Sequence, residues 1–197
     1  EEVISIDTEK KIATTNRREI HYDRLISTMP LPVLLTKCGI DYPEGVFSCN
    51  KVLVFNLGFD SKGNDCLNSW VYVPEKDYIF YRLGYYDNIM GTDRMSLYVE
   101  IGFPENFTFK KEGLYLERVL EDLRKMGVVT TQKLVDYETV LMKPAYAHIS
   151  KKSIEAVESV KKELSKMDIY TIGRYGSWTY CSIEDNILEA KSLAENL

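Results

Sequence analysis

The sequence predicts an α/β chain, an α+β arrangement in which helices pack on a mixed, largely antiparallel sheet. Three observations carry this. Four strand-like apolar runs follow one another between residues 52 and 101. The apolar period then lengthens to that of an amphipathic helix over 114–126. A short β-prone run at 24–28 passes directly into a proline-started helix. At 197 residues, 45% hydrophobic and 28% charged, the chain has length for one domain, or one and a half, around a buried core.

Taken in order, Val3–Ile6 and Lys11–Thr14 read as two short strands, with Asp7–Lys10 as the turn between them. Arg24–Thr28 is a third. Pro30-Leu31-Pro32 then opens a helix to about Lys37, because proline's fixed φ suits a first turn. The middle strands are Val52–Phe59, Ser69–Val73, Tyr78–Tyr86 and Met95–Ile101, separated by polar loops that suit antiparallel neighbours. Leu114, Leu116, Val119, Leu120, Leu123 and Met126 share one helical face, closed by Gly127. Leu134–Leu141 returns to strand. Ser150 is the expected N-cap of a helix to about Lys166 that places Ile154, Val157, Val160, Lys161 and Leu164 on one side. Ile169–Ile172 is a short strand. Ser182-Ile183-Glu184-Asp185 resembles a capping box and starts a last helix carrying Ile187, Leu188, Ala190, Leu193 and Ala194. No repeat or low-complexity tract interrupts this order.

The charge balance, 25 basic against 30 acidic residues, gives −5. That disfavours nucleic acid and anionic membrane surfaces as partners. No apolar run approaches the ~20 residues of a membrane-spanning helix, and no signal pattern is visible. The cysteines at 38, 49, 66 and 181 form no C-x-x-C pair, and His21 and His148 lie far apart, so no metal site is expected. Reduced thiols in a cytoplasmic protein are the expectation. There is no Gly-x-Ser-x-Gly elbow and no phosphate loop, and both histidines read as structural. With no catalytic side-chain constellation, the chain either binds without chemistry or borrows its chemistry from a cofactor.

The chain has 14 tyrosines, and three segments set cations beside them. In Phe80-Tyr81-Arg82 the arginine interrupts an aromatic strand and needs an anion or a rim position. Gly173-Arg174-Tyr175-Gly176-Ser177-Trp178-Thr179-Tyr180 lies between strand and helix. Its glycines permit tight turns, and its arginine can fork onto phosphate. Lys143-Pro144-Ala145-Tyr146 can present a hydroxyl from a loop. Salt bridges to the many carboxylates and rings in the core are the ordinary alternative for each.

These segments carry a resemblance. From Tyr22 to its end the chain resembles the C-terminal half of a UDP-galactopyranose mutase, within the wider flavin amine-oxidase-like superfamily. The residues are Tyr22-Asp23-Arg24-Leu25-Ile26-Ser27-Thr28-Met29-Pro30, Trp70-Val71-Tyr72-Val73-Pro74-Glu75, Phe80-Tyr81-Arg82 and the Gly173–Tyr180 motif, in that order. The last is the most specific. Its Gly-Ser-Trp form is similar to the eukaryotic branch, whereas the region after Tyr180 is shorter, as in bacterial members. The first is shared by many flavin oxidoreductases.

The resemblance implies an FAD enzyme in which the reduced flavin attacks the anomeric carbon of a UDP-sugar through N5. The ring opens and recloses as furanose, with no net redox. Catalysis would then rest on the flavin rather than on a side chain of this chain. Arg82 and Arg174 would bind the diphosphate, Tyr146 and Tyr180 would hydrogen-bond its oxygens, and Trp70 and Tyr72 would line the nucleotide side. Ser182, Ile183 and Glu184, at the positive end of the last helix, would meet the flavin. Residues 1–37 and 168–197 would belong to a Rossmann-like FAD-binding domain and 38–167 to a substrate-binding domain.

The Gly-x-Gly-x-x-Gly fingerprint that family members carry at their N-terminus is absent, and the chain begins at Glu1 in mid-pattern. The expectation is therefore a C-terminal piece, inactive alone, of an isomerase serving cell-surface polysaccharide synthesis in the cytoplasm. Whether it forms a homo-oligomer is open. The rival readings are a flavoprotein of the amine-oxidase or protoporphyrinogen-oxidase kind, and a flavin-free nucleotide-sugar binding module.

Overall fold

The computed structural model describes residues 1–109 and 112–197, the Glu112 side chain excepted. The strands are β1 (Val3–Asp7), β2 (Ile12–Thr15), β3 (Glu19–His21), β4 (Leu25–Ser27), β5 (Asn50–Phe59), β6 (Trp70–Tyr72), β7 (Arg82–Tyr85), β8 (Ser96–Pro104), β9 (Leu134–Met142) and β10 (Ile169–Thr171). The helices are α1 (Leu31–Cys38), α2 (Tyr86–Met90), α3 (Glu112–Lys125), α4 (Lys151–Ser165), α5 (Gly173–Gly176) and α6 (Ile183–Asn196). None of the described helices is long and apolar enough to cross a membrane. The chain divides into two compact units, residues 1–48 with 147–197, and residues 49–146. The second unit lies inside the 38–167 span expected to bind substrate.

In the first unit β1, β2 and β3 form an antiparallel meander. The β1–β2 turn is held by Asp7 Oδ1, which accepts from the Lys10 N–H at 2.8 Å. β4 and β10 pair in parallel, Leu25 with Ile169 through Ser27 with Thr171. α1 starts after Pro30 and stops at left-handed Gly39. α4 is capped by Ser150, whose hydroxyl accepts from the Ser153 N–H, and it buries Val160 and Leu164. α6 carries the expected capping box, Ser182 with Asp185, yet buries none of its residues; Ile187 and Leu188 are exposed.

The second unit is a five-stranded antiparallel sheet in the order β6-β7-β8-β5-β9. Alternation gives it two unlike faces. Leu53, Phe55, Leu57 and Phe59 of β5, Leu83 and Tyr85 of β7, and Leu97, Val99 and Ile101 of β8 form the core, with Val119 and Leu123 of α3. Leu116 and Leu120 of α3, and Met126 just after it, pack against it. The intervening residues take the other face: Trp70 and Tyr72, Arg82 and Gly84, Tyr98 and Glu100, Val52, Val54 and Asn56.

Several expectations are corrected. The run Tyr78–Tyr86 is a strand only over Arg82–Tyr85, and Tyr86 begins α2. Phe80 instead plugs the core, 1% exposed, and Tyr78 packs on it. Leu114 faces solvent, and Tyr115 joins the aromatic cluster with Phe103 in its place. His21 lies inside β3, a strand not foreseen because none of its three residues is buried. Gly173–Gly176, expected as turn, is one helical turn.

Gly84 is the tightest position on the second face. A Cβ there would lie 2.0 Å from the Tyr98 ring. Gly84→Ala is expected to destabilise the protein by about 2 kcal/mol, the scale of overpacking, measured by urea unfolding. Stability equal to wild type would show that the Tyr98 ring moves aside freely.

Candidate functional site

The sheet unit gathers four of the expected site residues on its second face. Arg82, on β7, lies opposite Glu100 of β8 in the ladder. Its Nη2 donates to Glu100 Oε1, and Tyr81 Oη donates to Glu100 Oε2 at 2.5 Å. Glu100 is only 4% exposed. Tyr146 Oη lies 3.5 Å from Arg82 Nη2. The guanidinium also sits 5.8 Å from the Tyr72 ring centroid and 6.0 Å from that of Tyr98. Trp70, two residues before Tyr72 on β6, shares its face and is largely exposed, as is Tyr72.

Tyr146 is brought in by its loop. Its N–H donates to Asn50 Oδ1 at 2.8 Å, and the Ala145 N–H to the Asn50 carbonyl at 3.0 Å. The Lys143–Pro144 bond before it is cis.

The electrostatics follow from this packing. Burial alone would lower the Arg82 pKa, but the bonds to Glu100 and Tyr72 outweigh it and push it up, so the guanidinium stays charged. Burial and Glu100 both raise the Tyr81 hydroxyl, which therefore stays a donor. Arg82 Nε is buried with no partner among the described residues. The result is a charged fork with tyrosine hydroxyls and rings around it, suited to an oxygen-rich anion. Glu100, Tyr81 and Tyr98 were missed from sequence. The available signal was a carboxylate inside the apolar run Met95–Ile101, matching the arginine inside an aromatic one.

The other expected residues lie in the first unit. Arg174 is on α5, with its guanidinium 4.4 Å from the Tyr180 ring centroid. Trp178 is buried edge-on to Phe47 at φ 44°, and its Nε1 has no partner among the described residues. A bulky residue at positive φ marks a turn shaped under constraint. Gly176 permits the turn to lie on β4 and β10, since a Cβ there would meet Thr171 Oγ1 at 2.7 Å and the Ser27 carbonyl at 3.2 Å.

Ser182 caps α6: its hydroxyl accepts from the Asp185 N–H at 3.1 Å, and its own N–H donates to Asp185 Oδ2 at 2.7 Å. The Ile183 and Glu184 N–H groups lie in that first turn, where a helix offers them no carbonyl. Ile183 is 82% exposed and Tyr180 73% exposed. First-turn N–H groups beside the exposed Ile183 and Tyr180 side chains can donate to an uncharged carbonyl edge. The Glu184 and Asp185 carboxylates make the same end a poor fit for phosphate. His148 Nδ1 meets Ser48 Oγ at 3.1 Å, joining two loops. The four cysteines are free thiols, and burial pushes Cys38 and Cys49 up to about 11.

No protein-family model matches the chain, and no curated protein matches it. Its fold is similar to that of a reduced UDP-galactopyranose mutase, with TM-score 0.77 and 22% identity over 91% of this chain and 41% of that one. A protein assigned as a protoporphyrinogen oxidase, from Exiguobacterium sp. 255-15, matches with TM-score 0.78 at 16% identity over 98% and 45%. A CLA-producing fatty acid isomerase from P. acnes matches with TM-score 0.68 at 14% identity over 100% and 47%. The chain thus has the mixed α/β fold of these enzymes and spans under half the length of each.

Two outcomes test this geometry. Glu100→Ala leaves Arg82 without its carboxylate and is expected to cost about 3 kcal/mol of stability, as for a broken buried pair; a loss below 1 kcal/mol in chemical unfolding would contradict it. Burial raises the Glu189 carboxyl of α6, but hydrogen bonds from Ser177 and Gly173 and the Lys161 ammonium hold it below its ordinary value. A carboxyl lowered by folding stabilises above its unfolded pKa, and that stability is lost as pH falls through the folded one. Glu189→Gln is therefore expected to melt lower than wild type near pH 7, with the gap closing below about pH 4. A gap that stays constant with pH would contradict the assignment.

Proposed function

We propose that the chain is the C-terminal part of an FAD-dependent sugar-nucleotide mutase that interconverts UDP-galactopyranose and UDP-galactofuranose for cell-surface polysaccharide synthesis in the cytoplasm. The observation that carries the reading is Arg82, a charged guanidinium held by Glu100 among Tyr72, Tyr98 and Tyr146 on the second face of the sheet. In it, residues 38–167 bind substrate, and 1–37 with 168–197 belong to the FAD-binding domain.

Arg82 and Arg174 are the diphosphate ligands, since a guanidinium fork matches phosphate oxygens. Tyr146 and Tyr180 donate hydroxyl hydrogen bonds to its oxygens without adding charge. Trp70 and Tyr72 offer exposed rings on which the nucleotide rests. Ser182, Ile183 and Glu184 hold the flavin through the first-turn N–H groups of α6. When bound and reduced, FAD supplies the nucleophile for the anomeric carbon. The side chains described here orient the substrate and exclude water from it.

A second reading, net oxidation by a flavoprotein, is supported by the likeness to the protoporphyrinogen oxidase. The arginine and tyrosine hydroxyls of the second face favour a phosphate-bearing ligand over it. The separating experiment incubates the full-length protein with UDP-galactofuranose, with and without dithionite, and resolves the products by chromatography. UDP-galactopyranose forming only under reduction is the expected result. No conversion by a flavin-loaded, reduced protein would overturn the mutase reading, and a colourless full-length protein would favour a flavin-free binding module. Arg174→Ala is expected to weaken UDP binding by roughly 2–4 kcal/mol, and unchanged affinity would remove Arg174 from the site.

A further inference from the structure

We infer that Glu189 is a positioning residue for Arg174, its carboxylate tying together the two ends of the turn that carries the arginine. The inference rests on the reading of Arg174 as a diphosphate ligand, and goes beyond it by naming what fixes that arginine in place.

Arg174 follows Gly173 and precedes Ser177 by three residues. Glu189, from α6, reaches both sides of it. Its Oε2 accepts from the Gly173 N–H at 2.7 Å, and its Oε1 accepts from Ser177 Oγ at 2.6 Å. Lys161, from α4, completes the latch: its Nζ donates to Ser177 Oγ at 2.7 Å and to Glu189 Oε1 at 3.1 Å. One carboxylate of α6 thus takes three donors, one from α4 and two from the turn. Gly173 sits at φ 83°, a conformation open to glycine and costly to other residues. Its amide is therefore aimed by backbone geometry as well as by the acceptor.

The turn is tied from within as well. The Ser177 N–H donates to the Gly173 carbonyl at 2.7 Å, and the Thr179 N–H to the Arg174 carbonyl at 3.0 Å. Fixing Gly173 and Ser177 therefore fixes the backbone of Arg174 between them. Packing does not explain Glu189. It borders an open depression of about 330 Å³ shared with Thr171, Ile172 and Leu193, so it is not packed on all sides. The Lys161 ammonium offsets its charge, so the latch orders the turn without adding net negative charge near the arginine.

The test is a double-mutant cycle on UDP binding by the full-length protein, with thermal unfolding confirming that each variant folds. Glu189→Ala alone is expected to weaken UDP binding about tenfold, the lower part of the range for stranding hydrogen-bond donors. In an Arg174→Ala background the same change is expected to alter affinity by less than about twofold, because the group it positions is gone. Equal loss in both backgrounds would overturn the inference, since Glu189 would then act elsewhere. If Arg174→Ala binds UDP like wild type, the diphosphate reading of Arg174 fails and the inference falls with it. Should Glu189→Ala not fold, Ser177→Ala cuts the same latch at its other end and takes its place in the cycle.

Discussion

The sheet of residues 49–146 has one constraint on which the rest depends: successive residues of a strand face opposite sides. β5, β7 and β8 spend one side on the core against α3. Every second residue is thereby committed to the other side, whatever its chemistry. Arg82 and Glu100 meet because the β7–β8 register sets them opposite each other on that side. A slip of one residue by β7 would turn Arg82 into the apolar core and leave the buried Glu100 on the other face without its partner. The ion pair and the core therefore specify the same register from opposite faces.

Much of this was legible in sequence because it is local. The helical period of 116–126, the proline-started α1, the Ser150 and Ser182 caps and three of the four middle strands all follow from spacing and capping chemistry within a few residues. The Tyr78–Tyr86 run failed for the opposite reason. Its aromatics are β-prone everywhere, yet Phe80 is buried as a plug before the ladder begins and Tyr86 turns into α2. Propensity there yields to tertiary packing.

The contacts among candidate site residues divide the same way. Arg174 with Tyr180, six residues apart, is within reach of a turn, and the motif as a whole invited the reading. Arg82 with Tyr146 spans 64 residues, and Glu189 reaches Gly173 from a helix whose sequence signals only amphipathicity. What sequence did offer was the misfit itself: an arginine among aromatics and a glutamate among aliphatics, each requiring a partner that burial would have to supply.

The partner that burial supplied bears on how such a face could bind an anion. Arg82 is tied to a buried carboxylate, so the pair carries no net charge, and the whole chain is acidic at −5. The Arg82 pair therefore offers the proposed diphosphate little net positive field. What remains is preorganisation. Glu100 and the tyrosine rings hold the guanidinium in one orientation, and Asn50 fixes the loop that brings the Tyr146 hydroxyl beside it. Donors already aimed lose little entropy when a ligand arrives. Tyrosine hydroxyls can add hydrogen bonds that an acidic protein need not balance with further charge. On the proposed reading, the abundance of tyrosine and the buried glutamate serve one end: phosphate oxygens meet fixed donors rather than a positive field.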